Sequence, residues 1–300
     1  FNQKDPHARN KGEFSIQGKI DAGKLNFSPE HFAVDGVSPY WPIIDNIQGG
    51  FIFDRTKMEI TADKAVTNGA LLSKVKAVIA DLSDENSPLV IDGVASGPLQ
   101  SMFNYVKASP VDEWIGGFLH ESTALGNSQL NLKLQLPLHH LIESKVNGTL
   151  QFYGNETKLQ TDLPKISNLN GRLDFNEYGV SFNGLKGNML GGAVNGIGTT
   201  AKDGAIRIKL DGSASAEGLQ AYLTDPSLLA LTQKIYGATR YSSQINVKKG
   251  QSEIIIESSM QGLGLNMPAP LIKPMQEVLP IRLEITPDLK TDVVDSNNPI

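Results

Sequence analysis

Gln129–Leu138 alternates without a break: Leu130, Leu132, Leu134, Leu136 and Leu138 are separated by Asn131, Lys133, Gln135 and Pro137. Successive side chains of a strand point to opposite faces, so the pattern predicts an antiparallel strand with one apolar and one polar face. Shorter runs of the same kind fill the chain. They include Phe51/Phe53, Met58/Ile60/Ala62, Val75/Ala77/Ile79, Leu150/Phe152, Leu173/Phe175 and Val180/Phe182. Ile206/Ile208/Leu210, Ile245/Val247, Ile254/Ile256 and Ile281/Leu283/Ile285 follow. Asp203-Gly204 and Lys249-Gly250 read as hairpin turns between such runs. Pro39 and Pro42 exclude a central strand around Tyr40 and Trp41.

Helical spacing is scarce. Leu99, Met102, Phe103 and Val106 recur at i, i+3, i+4 and i+7, with Ser109-Pro110 as the stop. Val111–Leu119 reads as a second short helix ending at Gly116-Gly117. Leu219–Tyr236 is helical in patches and broken at Asp225-Pro226, and a further short helix is expected to run up to Leu279. The reading yields roughly fifteen strands against three or four short helices. Nearly every strand is apolar on one face only, and leaving that face in water costs about 25 cal/mol per Å². The helices are too few to cover it. Three solutions remain open: a second sheet, closure into a barrel, or an apolar ligand that is not protein.

A long internal repeat organises these elements. PIIDNIQGGFIFD, starting at Pro42, returns as PKISNLNGRLDFN, starting at Pro164, 122 residues on. Pro42/Pro164, Ile44/Ile166, Asn46/Asn168, Gly49/Gly171 and Phe53/Phe175 are identical pairs. Asn68-Gly69-Ala70 then lies opposite Leu190-Gly191-Gly192, Asp92-Gly93 opposite Asp211-Gly212, and Leu99-Gln100 opposite Leu219-Gln220. The offset shrinks as loops shorten while strands are kept, as a tandem β architecture requires. The expected organisation is a polar lead-in over 1–12, a first unit over 13–126, a second over 127–262, and the opening of a third with a polar tail over 263–300.

Composition narrows the class. The chain is 40% hydrophobic and 20% charged, too apolar for disorder. With no cysteine there is no disulfide, thiolate metal site or cysteine nucleophile. A net charge of −5 without basic clusters argues against nucleic acid as a partner and against an electrostatic hold on anionic membranes. No run approaches the ~18 apolar residues of a membrane span. The opening FNQKDPHARNKGEF has neither Met nor an apolar signal core, so an excised part of something longer is expected.

Candidate chemistry is sparse. His139 and His140 are adjacent at a strand end and would point to opposite faces, which makes them poor joint metal ligands. Gly196-Ile197-Gly198-Thr199-Thr200-Ala201 has the letters of a dinucleotide fingerprint, but a turn and a strand follow where a helix is needed. The acidic stretch Asp81–Ser87 lacks the ligand spacing of a calcium loop. Asp112-Glu113 suits a helix start, where the dipole favours carboxylates. No catalytic residue, metal or cofactor is expected. An enzyme acting on glycans would need paired carboxylates, and Asp174 and Glu177 are the nearest candidates.

An ordered set of short motifs carries a resemblance. Tyr40-Trp41-Pro42, Phe53-Asp54-Arg55, Gly97-Pro98-Leu99 and Ser109-Pro110-Val111 come first, with Trp114 and Gly116-Gly117-Phe118. Leu136-Pro137-Leu138 and Met267-Pro268-Ala269-Pro270-Leu271 follow, with Met267 standing where Leu is expected. Over most of residues 14–285 the chain resembles the central-to-C-terminal part of the AsmA-like family of Gram-negative envelope proteins. The resemblance implies a mostly β fold: a long twisted antiparallel sheet curled into an open groove of repeated units, with a few short helices. It implies a periplasmic segment of a longer protein anchored in the inner membrane, conducting phospholipid towards the outer membrane without chemistry. The implied partners are phospholipid acyl chains, neighbouring groove units of the same longer chain, and envelope proteins at the groove ends. The floor is then expected to be lined by Phe51, Phe53, Leu130, Leu132, Leu134, Leu136, Leu173, Phe175, Ile206, Ile208, Leu210, Ile245, Val247, Ile254 and Ile256. The competing expectation is a structural or assembly β-sandwich of the envelope, with no lipid path.

Overall fold

A computed structural model describes residues 14–33, 35–140, 143–161, 163–225, 230, 232–248 and 251–286. The polar lead-in, His7, the helical stretch beyond Pro226, the Lys249-Gly250 turn and the polar tail lie wholly or partly outside the described residues. The rest forms one open antiparallel sheet of sixteen strands.

In chain order the first strands are β1 (Ser15–Leu25), β2 (Ile44–Asp54), β3 (Lys57–Thr67), β4 (Ala70–Ile79) and β5 (Leu89–Pro98). Helices α1 (Leu99–Lys107) and α2 (Val111–Trp114) precede β6 (Thr123–Leu125), β7 (Asn127–Leu136) and β8 (Lys145–Lys158). The second half runs β9 (Ile166–Asn176), β10 (Gly179–Met189), β11 (Gly192–Thr200), β12 (Ile206–Ser215), α3 (Ala216–Tyr222), β13 (Ile235–Lys248), β14 (Gln251–Ser258), β15 (Leu263–Leu265) and β16 (Ile281–Ile285). Apart from β6 on β8 and β15 on β13, each strand pairs with its neighbours in sequence, and the path runs from β1 to β16 without closing.

The repeat is visible in the backbone. β2 and β9 are both eleven residues long. Asn46 and Asn168 both adopt a left-handed conformation, with φ of 53° and 51°. Asparagine tolerates that region, and in each copy the ladder shifts register nearby. Asn68-Gly69 and Leu190-Gly191 both close two-residue hairpins with positive φ at both positions. The glutamines matched in sequence have like roles. Gln100 accepts a hydrogen bond from the Ala124 N–H, and Gln220 donates one to the Thr232 carbonyl, so each ties its helix to the segment that follows.

Some expectations need revision. β7 ends at Leu136, so Leu138 lies in an exposed turn rather than on the strand. α2 stops at Trp114 because Gly116 and Gly117 both take positive φ. α3 begins three residues before Leu219, where the Ser215 side chain accepts from the Gly218 N–H as an N-cap. No helix forms before Leu279. Pro268, Pro270 and Pro274 interrupt that segment, and the buried Lys273 ammonium donates to the carbonyls of Met260, Leu263 and Pro274.

Two margins of the sheet differ. Helices α1, α2 and α3 and the long loops 26–43 and 259–280 lie at one margin, and the other carries connections such as Arg55-Thr56, Glu177-Tyr178 and 201–205. Three buried clusters line the helix margin. Leu99, Met102 and Phe103 of α1 pack with Ala124, Phe152 and Leu169. Met189, Val194, Ala214 and Tyr241 form the second, with Leu219 of α3 against them. Ile47, Ala62 and Ala65 form the third.

Candidate functional site

Directly paired residues of an antiparallel ladder share a face, so the pairing can be followed across the whole sheet. One line runs Gly18, Phe51, Ile60, Ala77, Ile91, Leu134, Val146. A second runs Leu130, Leu150, Leu173, Phe182, Gly198, Ile208, Ile245, Ile254, Ile285. Leu130 and Leu134 are four apart on β7, an even spacing, so both lines belong to one face. Phe53, Leu132, Leu136, Phe175, Ile206, Leu210, Val247 and Ile256 fall on it by the same ladders. Bulges at Lys74, Gly154 and Gly184 absorb register shifts without moving the apolar set to the other side.

All fifteen residues expected at a groove floor thus lie on a single face. Val247 is buried and the other fourteen are half-buried. Leu150, Phe182, Ile91 and Val146 share that face and were not among the fifteen. Each follows the period-2 alternation of its own strand, which was the signal available.

Among the described residues no second sheet covers this face, which removes the sandwich. Its half-burial comes from crowding between neighbouring side chains. On the opposite face Ile52 and Ile197 are 45% and 43% exposed, whereas Val78, Val90 and Ile255 are half-buried. Glycines let two aromatic rings of the apolar face lie close to the backbone. A Cβ at Gly148 would collide with the Phe175 ring, and one at Gly198 with the Phe182 ring, so each aromatic lies flat across a facing glycine.

The apolar face is hooded along the helix margin. Leu99 is fully buried there, and so is Asn155. The Asn155 carboxamide oxygen accepts from the Tyr153 N–H and the Ser128 hydroxyl, and its amide donates to the carbonyls of Leu125 and Asn127. Its polar groups are therefore all committed. Tyr241 differs: it is 8% exposed, its hydroxyl has no partner among the described residues, and burial pushes its pKa up to about 12.

The polar face holds a recess of about 520 Å³ bordered by Asp92, Lys133, Asn147, Thr149, Asp174 and Thr199. Thr149 donates to Asp174 at 2.7 Å and Arg172 pairs with it, which together hold its carboxyl below the usual range. Backbone N–H groups, its own and that of Val146, do the same for Glu177. A glycosidic acid needs a raised pKa, so neither carboxyl is suited to that role. His139 and His140 sit in a turn, and among the described residues no three acidic or histidine side chains converge to hold a metal ion. No described helix is long and apolar enough to cross a membrane.

The family model described as YhdP protein matches residues 2–297. The intermembrane phospholipid transporter YhdP of Escherichia coli (strain K12) is 22% identical over 296 residues, which cover 95% of this chain and 22% of that relative. The chain therefore spans about a fifth of the relative's length. No solved structure matches it.

Proposed function

The chain belongs to the YhdP family, and from that premise we propose that it is a groove segment along which phospholipid acyl chains pass between the two membranes of a Gram-negative envelope. The observation that carries the reading is the continuous apolar face, hooded at one margin and covered by no second sheet among the described residues. It crosses the fourteen strands of the main path, and at ~4.8 Å per strand the track is about 60 Å long. That is about twice the ~30 Å hydrocarbon thickness of a bilayer.

The energetics suit passage rather than storage. Each buried CH₂ is worth about 0.8 kcal/mol relative to water, in the groove as in the bilayer. A chain can move from one to the other at little net cost, while escape into water stays strongly unfavourable. No fixed polar clamp is required for such sliding, and no chemistry is involved. The fifteen residues from Phe51 to Ile256 named above are the proposed floor.

The proposed units are 13–126, 127–262 and the opening of a third over 263–300. In support, β2 to α1 falls within the first and its repeat, β9 to α3, within the second. Neighbouring units of a longer chain would extend the sheet at the edges of β1 and β16, and envelope proteins would meet the groove ends. The segment would lie in the periplasm, with the membrane anchor elsewhere in the longer protein.

The test is Leu134→Asp. A carboxylate in mid-track should abolish phospholipid transfer between donor and acceptor vesicles, while circular dichroism and cooperative unfolding persist. Normal transfer by a folded Leu134→Asp protein would show that the wrong face has been assigned.

A further inference from the structure

Resting on the reading above, we propose that each phospholipid lies along the strands, with its acyl chains directed towards the helix margin and its headgroup at the turn margin. The two margins differ in what they can accept. At the helix margin the apolar face is roofed by α1 and α3, and the buried apolar side chains concentrate there or at mid-strand. Only Ile79, Ala205 and Val247 of the buried apolar set lie towards the turns.

A phosphate has no place under that roof. Burying an ionised group without partners is costly, and the buried polar groups beneath α1 are already used. Asn155 makes four hydrogen bonds, one of them with Ser128, and leaves no donor to spare. Acyl chains need no donors and lose nothing there.

The turn margin offers water and charge. Tyr178, at the β9–β10 turn, is 81% exposed. Arg55 at the β2–β3 turn and Lys202 at the β11–β12 turn are exposed, and among the described residues neither takes part in an ion pair. A zwitterionic or anionic head can stay hydrated beside them and pass from one turn to the next.

The dimensions allow this arrangement. A strand of ten or eleven residues is about 35 Å long. One leaflet's acyl chain is about 15 Å, half of the hydrocarbon thickness, so head and tail fit along a single strand.

Photocrosslinking on the wild-type chain tests the orientation. One phosphatidylethanolamine probe carries a diazirine at the end of an acyl chain, and another carries it on the headgroup amine. Peptide mapping should find the acyl adducts in severalfold excess on 99–103, 150–152 and 169–173. The headgroup adducts should fall on 54–57, 177–180 and 201–205. Interchanged maps, or the same peptides from both probes, would overturn the orientation while leaving lipid binding intact. No labelling by either probe would instead remove the lipid-groove reading itself, and the orientation with it.

Discussion

The same kind of side chain has different surroundings at the two margins of this sheet. Phe152 and Leu169, at the helix margin, are buried; Phe175 and Leu173, further along the same strands or their partners, are half-buried. All four stand on one face of one ladder. What separates them is α1, whose Leu99, Met102 and Phe103 form one buried cluster with the first pair, while Leu173 only borders that cluster and Phe175 lies outside it. Burial here is decided less by the strand pattern than by the short helix inserted between β5 and β7, and again between β12 and β13. The sheet supplies an apolar surface, and the helices turn one border of it into dry core.

The sharpest way to break that contrast is to truncate on each side of it. Leu99→Ala should cost about 3–5 kcal/mol in denaturant unfolding, the range for a buried leucine whose cavity cannot collapse. Leu134→Ala, in the open track, should cost about 1 kcal/mol, since little area leaves water there on folding. Equal losses would mean that something covers the track after all. Asn155→Leu comes next. It strands the Ser128 hydroxyl, the Tyr153 N–H and two carbonyls, so about 2–3 kcal/mol should be lost in the same measurement.

Tyr241→Phe probes the helix margin from the other direction. Its hydroxyl is buried without a partner, so removing it should leave stability unchanged or raise it by about 1 kcal/mol or less. A marked loss would reveal a hydrogen bond to an ordered water.

The smallest effect belongs to the exposed polar face. Hydrogen bonds and charge from Lys57 and Lys76 lower the Glu59 pKa to about 2. A depressed carboxyl contributes stability above its unfolded pKa and loses it as pH falls through the folded one. The wild-type chain should therefore lose slightly more stability than Glu59→Gln between about pH 4.5 and pH 2. Parallel acid titrations of unfolding would check this.

Much of this arrangement can be read from residue order. The leucines of 130–136 show one-sided alternation directly, and the paired Asn46 and Asn168 mark the same bulge in both copies of the repeat. Alternation alone cannot say whether an apolar face meets a second sheet, a ligand or a helix, so the absence of a covering layer had to come from three-dimensional structure. The sealed margin was equally hard to foresee. Leu99 announces a helix by its spacing with Met102, Phe103 and Val106, but not which sheet border that helix will cover. Asn155 reads as an ordinary polar strand residue, because its role depends on carbonyls about thirty positions away. The segment before Leu279 has helix-compatible residues, yet three prolines and the Lys273 clamp override them.

The central claim is that the open track holds lipid. Native mass spectrometry of the purified chain, followed by organic extraction and lipid analysis, tests it most directly. The account predicts phospholipid co-purifying in substantial yield with the wild-type chain, and its loss from Leu134→Asp. A stable, monomeric wild-type chain free of lipid would contradict it.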